Sequence, residues 1–152
     1  MSALAKLGMH ASPSPARSAI AYPTVVNTKD YFVERDGERF AGTHLLVDMW
    51  GAGNLADPQA IERALCAAAV AAKATVLYTH FHRFEPNGGV SGVVVLAESH
   101  ISIHSWPERH YAAVDIFMCG ECNPTDALPI LRQAFGPSRM EVAEHRRGVF
   151  PR

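Results

Sequence analysis

The chain has 152 residues, is 48% hydrophobic and 19% charged, and carries a formal net charge of -1. That length supports one domain with a real core, and the near-neutral balance gives no electrostatic reason to expect nucleic acid or an anionic membrane surface as a partner. No apolar run nears the roughly 20 residues of a membrane helix, residues 1–23 lack the continuous apolar stretch of a secretory signal, and an odd number of cysteines, three, points to a reducing cytoplasm.

Residues 1–38 read as a flexible extension, rich in proline and polar residues with little periodicity. The domain is expected over 39–152. Arg39 to Trp50 is the first strand, with Leu45, Val47 and Met49 on one face and Leu46 and Asp48 on the other. Asp57-Pro58 opens a helix as N-cap and first helical residue, and Ile61, Leu65, Ala68, Ala69 and Ala72 form its apolar face. Ala74 to Phe84 alternates as a strand, and Glu85 to Gly89 is a turn. Val93 to Ala97 and Ile101 to Ser105 are two further strands, separated at Glu98-Ser99. Trp106 to His110 breaks the pattern before a strand over Tyr111 to Met118. Asn123-Pro124 begins a second helix, Gly136-Pro137 stops it, and Arg139 to His145 is the last strand, with Met140 and Val142 inward.

The order β-α-β-β-β-β-α-β, with short loops between the central strands, predicts an α+β two-layer sandwich: a largely antiparallel sheet with two helices on one face. Val93 to Leu96 is apolar on both sides, so the other face needs a cover. A second protomer packed sheet to sheet supplies it, giving an αββα homodimer.

Several chemistries compete for the central strands. Cys119-Gly-Glu-Cys122 has redox or half-zinc spacing, but no second pair accompanies it and it does not open a helix after a parallel strand. His80 and His82, and His100 and His104, fall at spacings that suit metal ligation; no further ligands of fixed spacing accompany them, so a metal is not expected. A hydrolase using Ser99 with His104 or His100 lacks the GxSxG surround of a nucleophile elbow. In a third chemistry Ser99 acts on its own chain. Its hydroxyl attacks the Glu98 carbonyl, an ester forms, and β-elimination followed by hydrolysis leaves a pyruvoyl group. That carbonyl can form a Schiff base with a substrate amine and act as an electron sink, as pyridoxal phosphate does. Ser91, His104 and Cys119 are residues of the types this route requires.

Gly89-Val-Ser-Gly92, the block Ala97-Glu-Ser-His-Ile-Ser-Ile-His-Ser-Trp-Pro-Glu108, and Ala112-Ala-Val-Asp-Ile-Phe-Met-Cys-Gly120 closely resemble the bacterial and archaeal short-chain S-adenosylmethionine decarboxylase proenzymes. The resemblance extends back to Gly42-Thr-His-Leu45 and His82-Arg-Phe-x-Pro86 and forward to Glu141 through Gly148, about the last three quarters of the chain. It implies autocatalytic cleavage between Glu98 and Ser99, leaving a β chain of residues 1–98 and an α chain of 99–152 that begins with pyruvoyl. It further implies that His104 and Ser91 serve processing and that Cys119 donates a proton to the substrate α-carbon after CO2 leaves. Phe84 would stack on adenine, and Glu108 would bind ribose hydroxyls across a dimer interface. The implied cofactor is pyruvoyl, with neither pyridoxal phosphate nor metal, and the implied product feeds spermidine synthesis.

The chain departs from the family pattern in an added glycine at Asn87-Gly-Gly89, in Ser105 for the commoner threonine, in Met118 before Cys119, and in the long extension. Two alternatives stand beside the leading reading. One is the same machinery acting on ornithine or arginine, since the carbonyl accepts any α-amine. The other is a catalytically dead paralogue, whose expected mark, loss of Ser99 or Cys119, is not seen.

Overall fold

The computed structural model describes residues 31–150. Strands β1 (Val33–Arg35) and β2 (Glu38–Phe40) form a hairpin, and β3 (Gly42–Trp50) follows after one residue. Helix α1 (Pro58–Ala71) leads to β4 (Val76–Arg83), β5 (Val90–Leu96), β6 (Ser99–Trp106) and β7 (Tyr111–Met118). Helix α2 (Leu128–Phe135) and β8 (Arg139–Arg147) complete the order. The main sheet has six strands in the order β4-β5-β6-β7-β3-β8, and every pairing in it is antiparallel.

The alternation in the sequence sets which side chains are covered. Leu45, Val47 and Met49 pair across to Ile116, Val114 and Ala112, which pair on to Ile101, Ile103 and Ser105. All nine are buried under the helices, whose apolar faces include Ile61, Leu65, Ala68, Ala69, Leu131 and Phe135. The alanines let α1 lie close on the sheet. Asp57 accepts a hydrogen bond from the Gln59 backbone at 2.9 Å as the expected N-cap, a contact worth about 1 kcal/mol. The chain is thus an α+β two-layer sandwich with both helices on one face.

Four local expectations change. The segment expected to be flexible up to residue 38 includes the hairpin from Val33, and the expected strand from Arg39 is interrupted at Ala41. The turn explains the hairpin: Asp36 and Gly37 have φ of 54° and 75°, as a two-residue type I′ turn demands. Arg146 clamps it by pairing with Asp36 and Glu38. Residues 1–30 of the expected extension lie outside the described residues. Val142, expected inward, is 43% exposed, because β8 is the sheet edge beyond the cover of the helices. The period-2 reading of β4 slips at its start, where the register shifts between Val76 and Tyr78; Leu77 and Tyr78 are both exposed as a result.

The second sheet face is open. Leu46, Trp50 and Trp106 are each about two-fifths exposed (38%, 39% and 40%), and Tyr111 stacks between the two indoles at 4.3 and 5.3 Å.

Candidate active site

The first cluster forms where β5 turns into β6 beside the end of β7. Glu98 is held at both its carboxylate and its carbonyl. Its carboxylate accepts hydrogen bonds from the Thr75 amide at 2.9 Å and the Thr75 hydroxyl at 3.2 Å. The Ala97 amide donates to the Thr75 carbonyl at 3.0 Å, and the Glu98 carbonyl accepts from the Cys119 amide at 3.1 Å. The next residue, Ser99, has φ of 141°, a region left almost entirely to glycine, where a side chain costs about 1–3 kcal/mol. Strain and clamp therefore meet on one peptide bond, between Glu98 and Ser99. The carbonyl carbon is polarised by the Cys119 N–H, and the neighbouring hydroxyl belongs to the strained residue.

Ser99 Oγ lies 3.1 Å from His100 Nδ1. The His100 ring packs edge-on to His44 and Phe117. His44 in turn bridges Asp115, at 3.3 Å from Nε2, and Arg147, at 3.1 Å from Nδ1. Burial holds the His100 imidazole below the ordinary histidine range; the neighbouring His44 adds to this, and Asp115 acts against it. The Cys119 thiol is pushed up by burial, against an opposing backbone hydrogen bond, with the Glu98 carboxylate adding a lesser upward push. It is held as a thiol near neutrality.

The second cluster lies at the far end of β5 and β6. Ser91 and His104 are direct cross-strand partners, with Oγ 3.2 Å from Nε2. Phe84, Asn87, His104, Trp106 and Glu108 line a cleft of about 220 Å3 beside them. Phe84 is fixed by a closed loop: its amide donates to the Gly89 carbonyl at 2.8 Å, and the Gly88 amide donates to the Phe84 carbonyl at 2.9 Å. His82 packs edge-on to its ring at 4.7 Å. A Cβ at Gly89 would sit 2.8 Å from the Ser105 carbonyl oxygen, so glycine is what lets the loop lie against β6. Ser105 accepts from the Val90 amide at 2.8 Å and donates to the Leu55 carbonyl at 2.7 Å. The hydroxyl is what this position uses.

The expected residues thus fall into two groups. Glu98, Ser99 and Cys119 meet at one end, and Ser91, His104, Phe84 and Glu108 meet at the other. Ser99 and His104 lie five positions apart along β6, about 16 Å on an extended strand. Cys122, 8% exposed, donates its thiol to the Lys73 carbonyl at 3.4 Å and packs in the core. His80 and His82 are exposed, and among the described residues no three His, Cys, Asp or Glu side chains converge as metal ligands. Sequence reading passed over Thr75 and Asp115, and it paired Ser99 with His100 only in the hydrolase reading that it set aside. Asp115 had a signal, as the one charged residue within an otherwise apolar strand; Thr75 had none.

Fold and site together define a two-layer α+β protein organised around a strained glutamyl–seryl peptide on an antiparallel sheet. Residues 43–148 match the family model for S-adenosylmethionine decarboxylase. The S-adenosylmethionine decarboxylase proenzyme of Thermomicrobium roseum is 49% identical over 109 residues, 71% of this chain and 94% of the relative. That of Acetivibrio thermocellus is 46% identical over 112 residues, 72% of this chain and 90% of the relative. The crystal structure of the adenosylmethionine decarboxylase from Aquifex aeolicus superposes with a TM-score of 0.64 at 34% identity, covering 74% of this chain and 94% of that one. The chain belongs to the S-adenosylmethionine decarboxylase family.

Proposed function

We propose that this protein is a self-cleaving, pyruvoyl-dependent decarboxylase of S-adenosylmethionine whose product donates aminopropyl groups for spermidine. The observation that carries the proposal is the Glu98–Ser99 peptide, strained at Ser99 and held through its carbonyl by Cys119. Attack of the Ser99 hydroxyl on the Glu98 carbonyl relieves that strain, and the Cys119 N–H stabilises the charge that develops on the oxygen. Cleavage there leaves residues 1–98 and 99–152. The pyruvoyl group at position 99 supplies a keto carbonyl that engages the substrate amine and draws electrons from the α-carbon as CO2 departs. Cys119, held protonated by its surroundings, returns a proton to that carbon. Phe84 offers an aromatic face to a nucleoside carrying a sulfonium, and Glu108 offers a carboxylate for ribose hydroxyls.

The two clusters lie too far apart to serve one reaction centre within a single chain. A two-fold sheet-to-sheet dimer resolves this, because the Ser91–His104 end of a second copy can face the Ser99 end of the first. It also covers Leu46, Trp50 and Trp106. His104 then acts in processing, with Ser91 as its partner, and the complete site is built from both protomers. The three free thiols, Cys66, Cys119 and Cys122, suit a reducing cytoplasm.

The test is direct. The purified protein should resolve by mass into two fragments divided at Glu98–Ser99, the second blocked by a keto group, and should release CO2 from S-adenosylmethionine. A persistently intact chain, or release from ornithine or arginine alone, overturns the reading.

A further inference from the structure

We propose that His100 is the base that takes the Ser99 hydroxyl proton in the first step of self-cleavage, an assignment that rests on Glu98–Ser99 being the processing site. Within the chain, His104 lies five strand residues away, whereas His100 Nδ1 is 3.1 Å from the attacking oxygen, within the reach required of a general base. The surroundings of His100 set it up to accept. On β3, His44 approaches with ring centroids 6.5 Å apart, and on β7 Phe117 does so at 6.1 Å. Around the His100 end of this face the charged and titratable groups are His44 on β3, Asp115 on β7, His145 and Arg147 on β8, and Tyr78 and His80 on β4; Asp48, Tyr111, His104, Glu141, Arg139 and His82 lie further along it.

Arg147 can only donate, so its contact makes His44 Nδ1 an acceptor and leaves the Nε2 proton for Asp115. Both His44 nitrogens are thereby engaged, which leaves His100 as the imidazole facing Ser99. Burial keeps His100 uncharged near neutrality, and in the tautomer protonated at Nε2 the Nδ1 lone pair points toward the serine hydroxyl.

In the step itself, the Ser99 Oγ–H proton passes to His100 Nδ1 as Oγ bonds to the Glu98 carbonyl carbon. The carbonyl oxygen takes up negative charge opposite the Cys119 N–H. When the carbon–nitrogen bond breaks, the imidazolium returns the same proton to the Ser99 nitrogen, giving an ester and a free amine. Atoms and charge balance without a further reagent, and the imidazole ends neutral. His104 is then left for the later elimination.

Two variants and one probe test this. His100→Gln keeps a polar side chain that cannot take up a proton, and His100→Ala opens space for added imidazole. Each is compared in melting temperature with the Ser99→Ala chain, and fragment formation is followed by mass. General-base loss should slow cleavage by about 10²-fold or more. Added imidazole should restore much of the rate in His100→Ala and none in His100→Gln. Hydroxylamine, which cuts esters, should release little fragment from either variant, because the ester does not form, but should release it readily from His104→Ala. Cleavage of folded His100→Gln at the native rate overturns the assignment, as does efficient hydroxylamine release from it. The glutamine variant carries the test should the alanine variant not fold. Failure of the unsubstituted chain to cleave would instead remove the processing site itself.

Discussion

The backbone amide of Cys119 donates a hydrogen bond to the carbonyl oxygen of Glu98 at 3.1 Å, so one residue serves the scissile bond through its main chain and leaves its thiol for a different task. The two roles separate on substitution. Cys119→Ala keeps the N–H and should cleave at close to the native rate. It lacks the protonated thiol that burial and Glu98 maintain, and turnover should fall by about 10²-fold or more, the usual scale for a positioned proton donor. Fragment mass and CO2 release measure the two effects independently; native turnover in the variant would refute the thiol's role.

The distance along β6 makes a second prediction about which chain helps which. Ser99→Ala and His104→Ala should each remain uncleaved when expressed alone. Expressed together, they form mixed dimers in which the His104→Ala chain keeps its own Ser99 and borrows His104 from the Ser99→Ala chain. The His104→Ala chain alone should then split, which distinct affinity tags and mass analysis will reveal. Mixed dimers in which both chains stay whole would count against a site shared between protomers.

Much of this was legible in the sequence because two periodicities carried it. Alternation assigned Leu45, Val47 and Met49 to the core side of β3, and the same alternation leaves His44, Asp115 and His100 on the open side. Asp57-Pro58 marked the start of α1 through local chemistry alone. The β1–β2 hairpin was missed although Asp36-Gly37 is a turn dipeptide, because its strands are three residues long and too polar to show a period. The clamp of Thr75 on Glu98 was hidden for another reason: it joins residues 23 apart through hydrogen bonds that no local pattern encodes. Separation of Ser99 from His104 followed from the strand assignment, but its consequence for assembly needed the register of β5, β6 and β7.

Packing between β4 and β5 sets a third expectation. A Cβ placed on Gly92 would collide with the Phe81 ring, which packs against the core across the strand pair. Aromatic rings in such a site do not simply fold away, so Gly92→Ala should cost about 1–3 kcal/mol, the range for overpacking. Denaturant unfolding in the Ser99→Ala background, where the chain remains single, gives the number. An unchanged midpoint would mean that Phe81 has room to move.

The aromatic ladder on the open face contains a titration with a definite sign. Tyr111 donates its hydroxyl proton to the Asp48 carboxylate, and its pKa is pushed up to about 12, by burial first and then by Asp48. An unfolded tyrosine titrates near 10. Between those values the unfolded chain has released its proton while the folded chain retains it, so the folded state binds more protons and stability declines as pH rises. The contribution is fully present below about pH 10. Tyr111→Phe removes this slope, and the stability advantage of tyrosine over phenylalanine should narrow above about pH 10. Unfolding in the Ser99→Ala background at about pH 8 and about pH 11 measures that gap, and tyrosinate absorbance follows the hydroxyl directly. A gap that stays constant across the interval would mean that neither burial nor Asp48 holds the Tyr111 proton.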